Sequence, residues 1–301
     1  MAVLGESVGL TASVEREPRR VRASLRLIFE RDQRTGSTIL ASSLQQPPLR
    51  VVRSFVQPDG SALAHLHNVS GGLLGGDALE LDVRVGAGAM VQLTTTGATR
   101  IYRPRREALE TSQSTEISVG ENALLEHLPD AIIPFAGVRY AQRTNVRLAA
   151  GAGIFWWEIL SPGREARGEW FEYESIAMHC DIAAEGRLIA AERALLEPRE
   201  RPVASPARLG HYRYWATFYI CRVGLPTAMW LTLEQQLREA AEPHARPGET
   251  LWGISALAAH GLAIRCLAIQ GRDVLPGLHA LWRAAKWALY EREAVPPRKV
   301  N

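Results

Sequence analysis

The chain has 301 residues, 47% of them hydrophobic and 22% charged, which excludes a disordered polar chain and leaves ample material for a core. Its formal net charge of +3 is too small to point to nucleic acid, and the basic side chains are arginines apart from Lys286 and Lys299. No window reaches the ~18 consecutive apolar residues of a membrane helix, and residues 1–20 lack the apolar stretch of a secretory signal.

Residues 1–21 carry mixed charge and no sustained period, so they are expected to form a flexible arm ahead of a single domain over 22–301. Ala23–Arg31 alternates, the Arg34-Thr35-Gly36 turn follows, and Thr38–Ser42 continues, a hairpin pattern. Strands are predicted at Arg50–Phe55 and Ala62–Asn68, punctuated by Pro47-Pro48 and Pro58-Asp59-Gly60. Beyond them the segment Val83–Leu93 is echoed by Ile117–His127, by Val146–Trp156 and faintly by Asp181–Ile189. Each unit is strand, tight turn, strand. Matching Ala89, Ala123, Gly153 and Arg187 gives offsets of 34, 30 and 34 residues. Such a period suggests coiled β-units that add to one continuous core. We expect two packed β-layers with some solenoid character.

The last third reads as β-α-β-β-α: a strand at Arg213–Val223, a helix near 227–241, a hairpin about His260-Gly261, and a helix near 274–291. Leu278, Leu281, Trp282, Ala285 and Leu289 form the apolar stripe of that last helix, and Trp287 falls off it. The fold class is therefore mainly β with C-terminal helices, an α+β chain. Cys180, Cys221 and Cys266 are odd in number and far apart, which fits a reducing cytoplasm rather than a disulfide framework.

Ser70–Asp77, with Gly71, Gly72, Gly75 and Gly76, invites a phosphate-cradle reading. A P-loop needs a lysine and a hydroxyl after its glycines, whereas Asp77 stands there instead. A dinucleotide fingerprint needs a helix next, whereas Ala78–Val85 alternates as a strand. His65 and His67 face the same way on a strand and could share a metal, although packed or solvated histidines are the commoner outcome. Glu158 lies in the apolar run Ile154–Leu160, where an unpaired charge is costly. It either meets a cation such as Arg164 or lines a wet channel. A hydrolase using Glu158 and Glu169, or a sugar-binding β-module, remain alternatives on this evidence.

Several segments, in order, resemble the UreD (UreH) family of urease accessory proteins. His67–Asp77 is similar to its Pro-Gly-Gly-x-x-Gly-Gly-Asp signature, with Ser70 in place of the usual proline. Leu93–Arg103, Leu125–Gly137, Trp157–Glu169 and Pro296-Pro297-Arg298 resemble further family segments, and Lys299 departs from the apolar residue expected there. The resemblance implies a β-rich, non-catalytic scaffold that joins UreF and the GTPase UreG on the urease apoprotein and assists nickel delivery. It implies no permanent cofactor, and no nucleic-acid or membrane partner. On that footing Asp77, Thr94, Thr99, Glu158, Arg164 and Glu169 are candidates to line a metal or water conduit. Transient Ni²⁺ contact is assigned to Asp77, His65 and His67, and partner contact to Arg103, Arg105, Arg106 and Trp287. The dull alternatives are a turn cap for Asp77, structural glycines, an Arg164–Glu169 ion pair and a solvated arginine loop.

Overall fold

The computed structural model describes residues 21–104 and 109–297. It opens with the hairpin β1 (Arg22–Arg31) and β2 (Thr38–Gln46), then β3 (Leu49–Arg50), β4 (Ser54–Val56) and β5 (Ala62–Asn68). The strand expected over Arg50–Phe55 is thus broken in two. From there the chain runs through β6 (Ala78–Val85), β7 (Met90–Thr95), β8 (Thr99–Ile101), β9 (Thr111–Val119), β10 (Leu124–His127), β11 (Ile132–Pro134), β12 (Arg139–Leu148), β13 (Gly153–Leu160) and β14 (Ser175–Ala184). It closes with β15 (Arg187–Leu196), β16 (Tyr214–Arg222), α1 (Thr227–Ala241), β17 (Thr250–Ala256), β18 (Gly261–Ala268) and α2 (Val274–Tyr290).

Two sheets result, in the orders β15-β14-β12-β9-β6-β1-β2 and β17-β18-β16-β13-β10-β7-β5-β3. From β6 to β14 the chain alternates between them, and each strand lies parallel to its counterpart in the next coil. That is solenoid winding. The coil turns are built alike: Ala89, Ala123 and Ala152 each donate an N–H to the carbonyl three residues earlier, at 3.1 Å. The third residue of each turn has positive φ, +64° at Gly88, +53° at Asn122 and +67° at Gly151. Glycine and asparagine adopt that conformation most readily. Successive turns are joined by hydrogen bonds from Gly88 N–H to Glu121 and from Asn122 N–H to Ala150.

The sequence repeat is therefore a real coil with a shifted register. Met90 faces Leu124, and Leu124 faces Gly153, offsets of 34 and 29 residues, so Ala152 and not Gly153 is the counterpart of Ala123. The faint fourth echo is different in kind. Glu185 (φ +47°) and Gly186 (φ +78°) turn β14 back into an antiparallel β15, which ends the winding. At the other end of the first sheet the β1–β2 hairpin does the same.

The second sheet is covered on both faces. Val91, Leu125, Ile154 and Trp156 pack toward the first sheet in one apolar cluster, and Leu124, Phe155, Trp157 and Phe218 pack against α1 and α2 in another. This explains the nearly unbroken apolar run of β13, since a strand buried on both faces loses the alternation of a half-exposed one. Both helices end within a residue or two of their sequence-based limits, and every member of the α2 stripe is buried.

Candidate functional site

The facing walls of the two sheets are apolar only in part. Across the first sheet the inward rows Val85–Val119–Leu148 and Val83–Ile117–Val146 are aliphatic. The next two rows contain Thr115 and Thr144, then Gln113 and Gln142. On the second sheet the opposite wall carries Thr95, His127 and Glu158. A cavity of about 280 Å³ fills this polar stretch, and its lining includes Thr95, Thr115, His127, Gln142 and Glu158. Its rim is formed by Asn68, Gly71, Thr96, Gly97, Arg100 and Asp130, several of which are exposed. Glu158 also lines a second, small void with Glu192, Thr217 and Tyr219. The two chambers therefore share this carboxyl.

Glu158 accepts a short hydrogen bond from the Gln142 amide, and Gln142 in turn accepts one from Tyr140 Oη at 2.9 Å. Glu158 is half-buried and lines both chambers. Burial pushes its carboxyl up to about 8; the Gln142 bond opposes that shift and the Glu192 charge adds to it. The side chain is thus protonated at neutral pH. Two polar atoms on the walls, His127 Nδ1 and Thr217 Oγ1, are buried without a hydrogen-bond partner. Burial lowers the His127 imidazole to about 4, so it is neutral.

Other sequence-predicted residues fall elsewhere. Asp77 is 4% exposed and accepts N–H bonds from Leu74 at 2.8 Å and Val21 at 3.4 Å, so it caps its own turn outside the cavity lining. That turn holds Gly71 and Gly72 at the rim, while Gly75 packs on Pro104. Gly76 takes φ +89°, and a Cβ on Gly72 would lie 2.5 Å from the Arg100 carbonyl oxygen. Thr94 faces the helix side of its sheet and donates to the Leu128 carbonyl at 2.6 Å; its neighbour Thr95 and the predicted Thr99 are the ones that line the cavity. His65 and His67 stand on β5 at the parity opposite to the cavity-lining Leu66. Burial and the adjacent His65 hold the His67 imidazole below its ordinary value.

Arg164 grips both carboxylate oxygens of Glu169, Arg103 approaches the same group at 3.7 Å, and Arg164 also lies 4.3 Å over the Phe135 ring. This is an ion-pair cluster outside the cavity lining, so Glu158 meets neither Arg164 nor Glu169 there. Arg103 and Trp287 are each 61% exposed. Arg105 and Arg106 lie outside the described residues. Sequence reasoning missed His127, Gln113, Thr115, Gln142 and Thr144. The signal that could have found them is parity, because in β12 the inward positions run Tyr140, Gln142, Thr144 before turning aliphatic at Val146. Among the described residues no three His, Cys, Asp or Glu side chains converge on a metal, and no helix is long and apolar enough to cross a membrane.

Known proteins share this sequence along nearly its whole length. A relative from Herpetosiphon aurantiacus named urease accessory protein UreD is 45% identical over 270 residues, covering 90% of this chain and 93% of the relative. Proteins of the same name from Pseudomonas aeruginosa and Pseudomonas fluorescens are 34% and 31% identical, over 83% and 93% of this chain and 85% and 94% of their own. The family model described as UreD urease accessory protein matches residues 21–301, and the chain belongs to that family.

Proposed function

We propose that the chain is a cytoplasmic urease-maturation chaperone without catalytic turnover. It docks on the urease apoprotein with UreF and the GTPase UreG, and its interior is a conduit through which nickel, as cargo, reaches the urease active site. The observation that carries the conduit is the polar cavity between the sheets, with Glu158 shared by two chambers. An interior of this kind has no packing rationale, because aliphatic rows fill the same space elsewhere in the sandwich. Thr99 lies toward the mouth, where Thr95 Oγ1 donates to the Asp130 carboxylate at 3.1 Å and accepts the Asp130 N–H at 2.8 Å, and Glu158 places a protonated carboxyl deeper in. In this reading Asp77 acts indirectly, by holding the glycine turn that forms part of the rim, and no cofactor is retained. Arg103 and Trp287 are exposed groups suited to a partner surface.

Affinity capture of the tagged chain from cells co-expressing urease subunits, UreF and UreG tests the docking; it should retain urease and UreF. Retention of neither, under conditions that preserve related complexes, would sink the assignment. The conduit has its own test. Glu158→Ala should leave the complex assembled but lower the nickel content of urease, and unchanged nickel would remove the conduit while leaving the scaffold.

A further inference from the structure

His127 ends β10 with its ring on the inner face of the second sheet, in register between Leu93 and Trp156. It is 8% exposed, lines the 280 Å³ cavity and makes no hydrogen bond to the described residues; Nδ1 is sealed by packing, which leaves Nε2 as the nitrogen able to reach the chamber. An aliphatic side chain would fill this row without stranding a polar group, as Leu125 and Val91 do one row away. An imidazole kept unbonded at the wall of a polar chamber is better explained by what enters the chamber than by packing.

Glu158 stands on the same wall, one strand over and one row further along, because it follows the His127 partner Trp156 by two residues on β13. Strand spacing and rise put the two backbone positions roughly 8 Å apart, and long side chains at that diagonal reach a common point. Thr95 occupies the corresponding next row on β7, and Gln142 holds one Glu158 oxygen from the facing sheet.

We propose that His127 and Glu158 form a two-donor station for a partly hydrated divalent transition-metal ion. The imidazole supplies nitrogen, the Glu158 carboxyl releases its proton to water as the cation arrives and supplies oxygen, and ordered water completes the shell. Imidazole suits nickel and zinc, whereas Mg²⁺ and Ca²⁺ take oxygen ligands; His127 therefore sets the selectivity of the chamber. Two protein donors hold an ion loosely enough to release it, which fits a stop along a route and not a storage site. The inference deepens the conduit reading and rests on it for the direction of travel.

The test uses the purified full chain, titrated with NiCl₂ and separately with MgCl₂ by equilibrium dialysis. The wild type should bind Ni²⁺ in preference to Mg²⁺. His127→Gln should weaken Ni²⁺ by about tenfold or more, the scale on which even an outer-shell partner matters, with thermal unfolding no earlier than in the wild type. X-ray absorption at the nickel edge should show imidazole scattering in the wild type that His127→Gln lacks. His127→Leu, which matches its apolar row, guards against a folding artefact and should lose Ni²⁺ equally. No Ni²⁺ binding by the wild type, bound nickel without imidazole scattering, or equal affinity in the variants would overturn the station. Nickel content of urease from the co-expressed complex separates the two ideas. Lost Ni²⁺ binding with undiminished delivery would sink the conduit and leave the station, and intact binding by His127→Gln beside failed delivery by Glu158→Ala would do the reverse.

Discussion

At the scale of single residues, the chemistry of the cavity is set by a carboxyl that the fold keeps protonated. Glu158 titrates near 8 in the folded chain because burial penalises its charged form more than the Gln142 bond favours it. In the unfolded chain it ionises near 4.5. A raised folded pKa means that its contribution to stability is complete below about 4.5 and is lost as the pH climbs through about 8. Glu158→Gln keeps the shape and the Gln142 partner but cannot ionise. Relative to that variant the wild type should lose on the order of 3–5 kcal/mol between pH 4.5 and pH 9. Urea unfolding at pH 5, 7 and 9 on both proteins measures it, the comparison cancelling Glu192, Cys180 and Tyr140 nearby. Parallel pH profiles would show that Glu158 is solvated through the cavity. The position was legible in the sequence, where a lone glutamate interrupts Ile154–Leu160; its neighbours were not, since Gln142 and Glu192 reach it from the facing sheet once the two sheets pack.

At the scale of elements, α2 is fastened to the second sheet by one buried ion pair. Lys286 Nζ lies 3.0 Å from Glu126 on β10, and the two residues are 3% and 2% exposed. Trp282 Nε1 donates to the other Glu126 oxygen at 2.8 Å, and Gln92 Nε2 donates both to Glu126 Oε2 at 3.4 Å and to the Val295 carbonyl at 2.9 Å, which ties down the segment after the helix. Burial raises the Glu126 carboxyl, and the Lys286 charge opposes that shift. Removing one member of such a pair strands the other in a low-dielectric layer, at a cost of about 3–5 kcal/mol. Lys286→Met should therefore destabilise the chain by about that much, and Glu126→Gln added to it should recover most of the loss. Chemical denaturation of both variants measures this; a single variant within about 1 kcal/mol of wild type would mean that water reaches the pair. The helix itself was plain from the spacing of Leu278, Leu281, Trp282, Ala285 and Leu289. The burial of Lys286 was not, because its partner is 160 residues away and a lysine off the main stripe ordinarily reads as solvated.

At the scale of the whole molecule, the winding puts a polar chamber inside an otherwise apolar sandwich. The turn motif repeats closely enough to be seen in sequence, and its stacked alanines Ala89, Ala123 and Ala152 are 0–1% exposed. The chamber was invisible there, because Thr115, Gln142 and His127 come from three strands and look unremarkable one at a time, and become a wall only when the coils stack. The mouth offers a way to test the chamber without touching its chemistry. Gly97 lies on the rim, is exposed, and a Cβ built on it meets no atom within 4 Å. A bulky side chain there enters open space instead of displacing the core. Gly97→Trp should therefore fold with wild-type stability, since surface changes of this kind usually stay within about 0.5 kcal/mol, and should retain urease and UreF on capture. What it should lose is passage: nickel per urease should fall severalfold at limiting metal and recover in part as nickel in the medium is raised, because a narrowed mouth slows entry and leaves the interior donors intact. Gly97→Ala, too small to narrow anything, should behave as wild type. If Gly97→Trp loaded urease as fully as Gly97→Ala at every nickel level, the rim formed by Thr96, Gly97 and Asp130 would not be where the metal enters, and the small chamber beside Glu192 and Tyr219 would be the entrance to probe next.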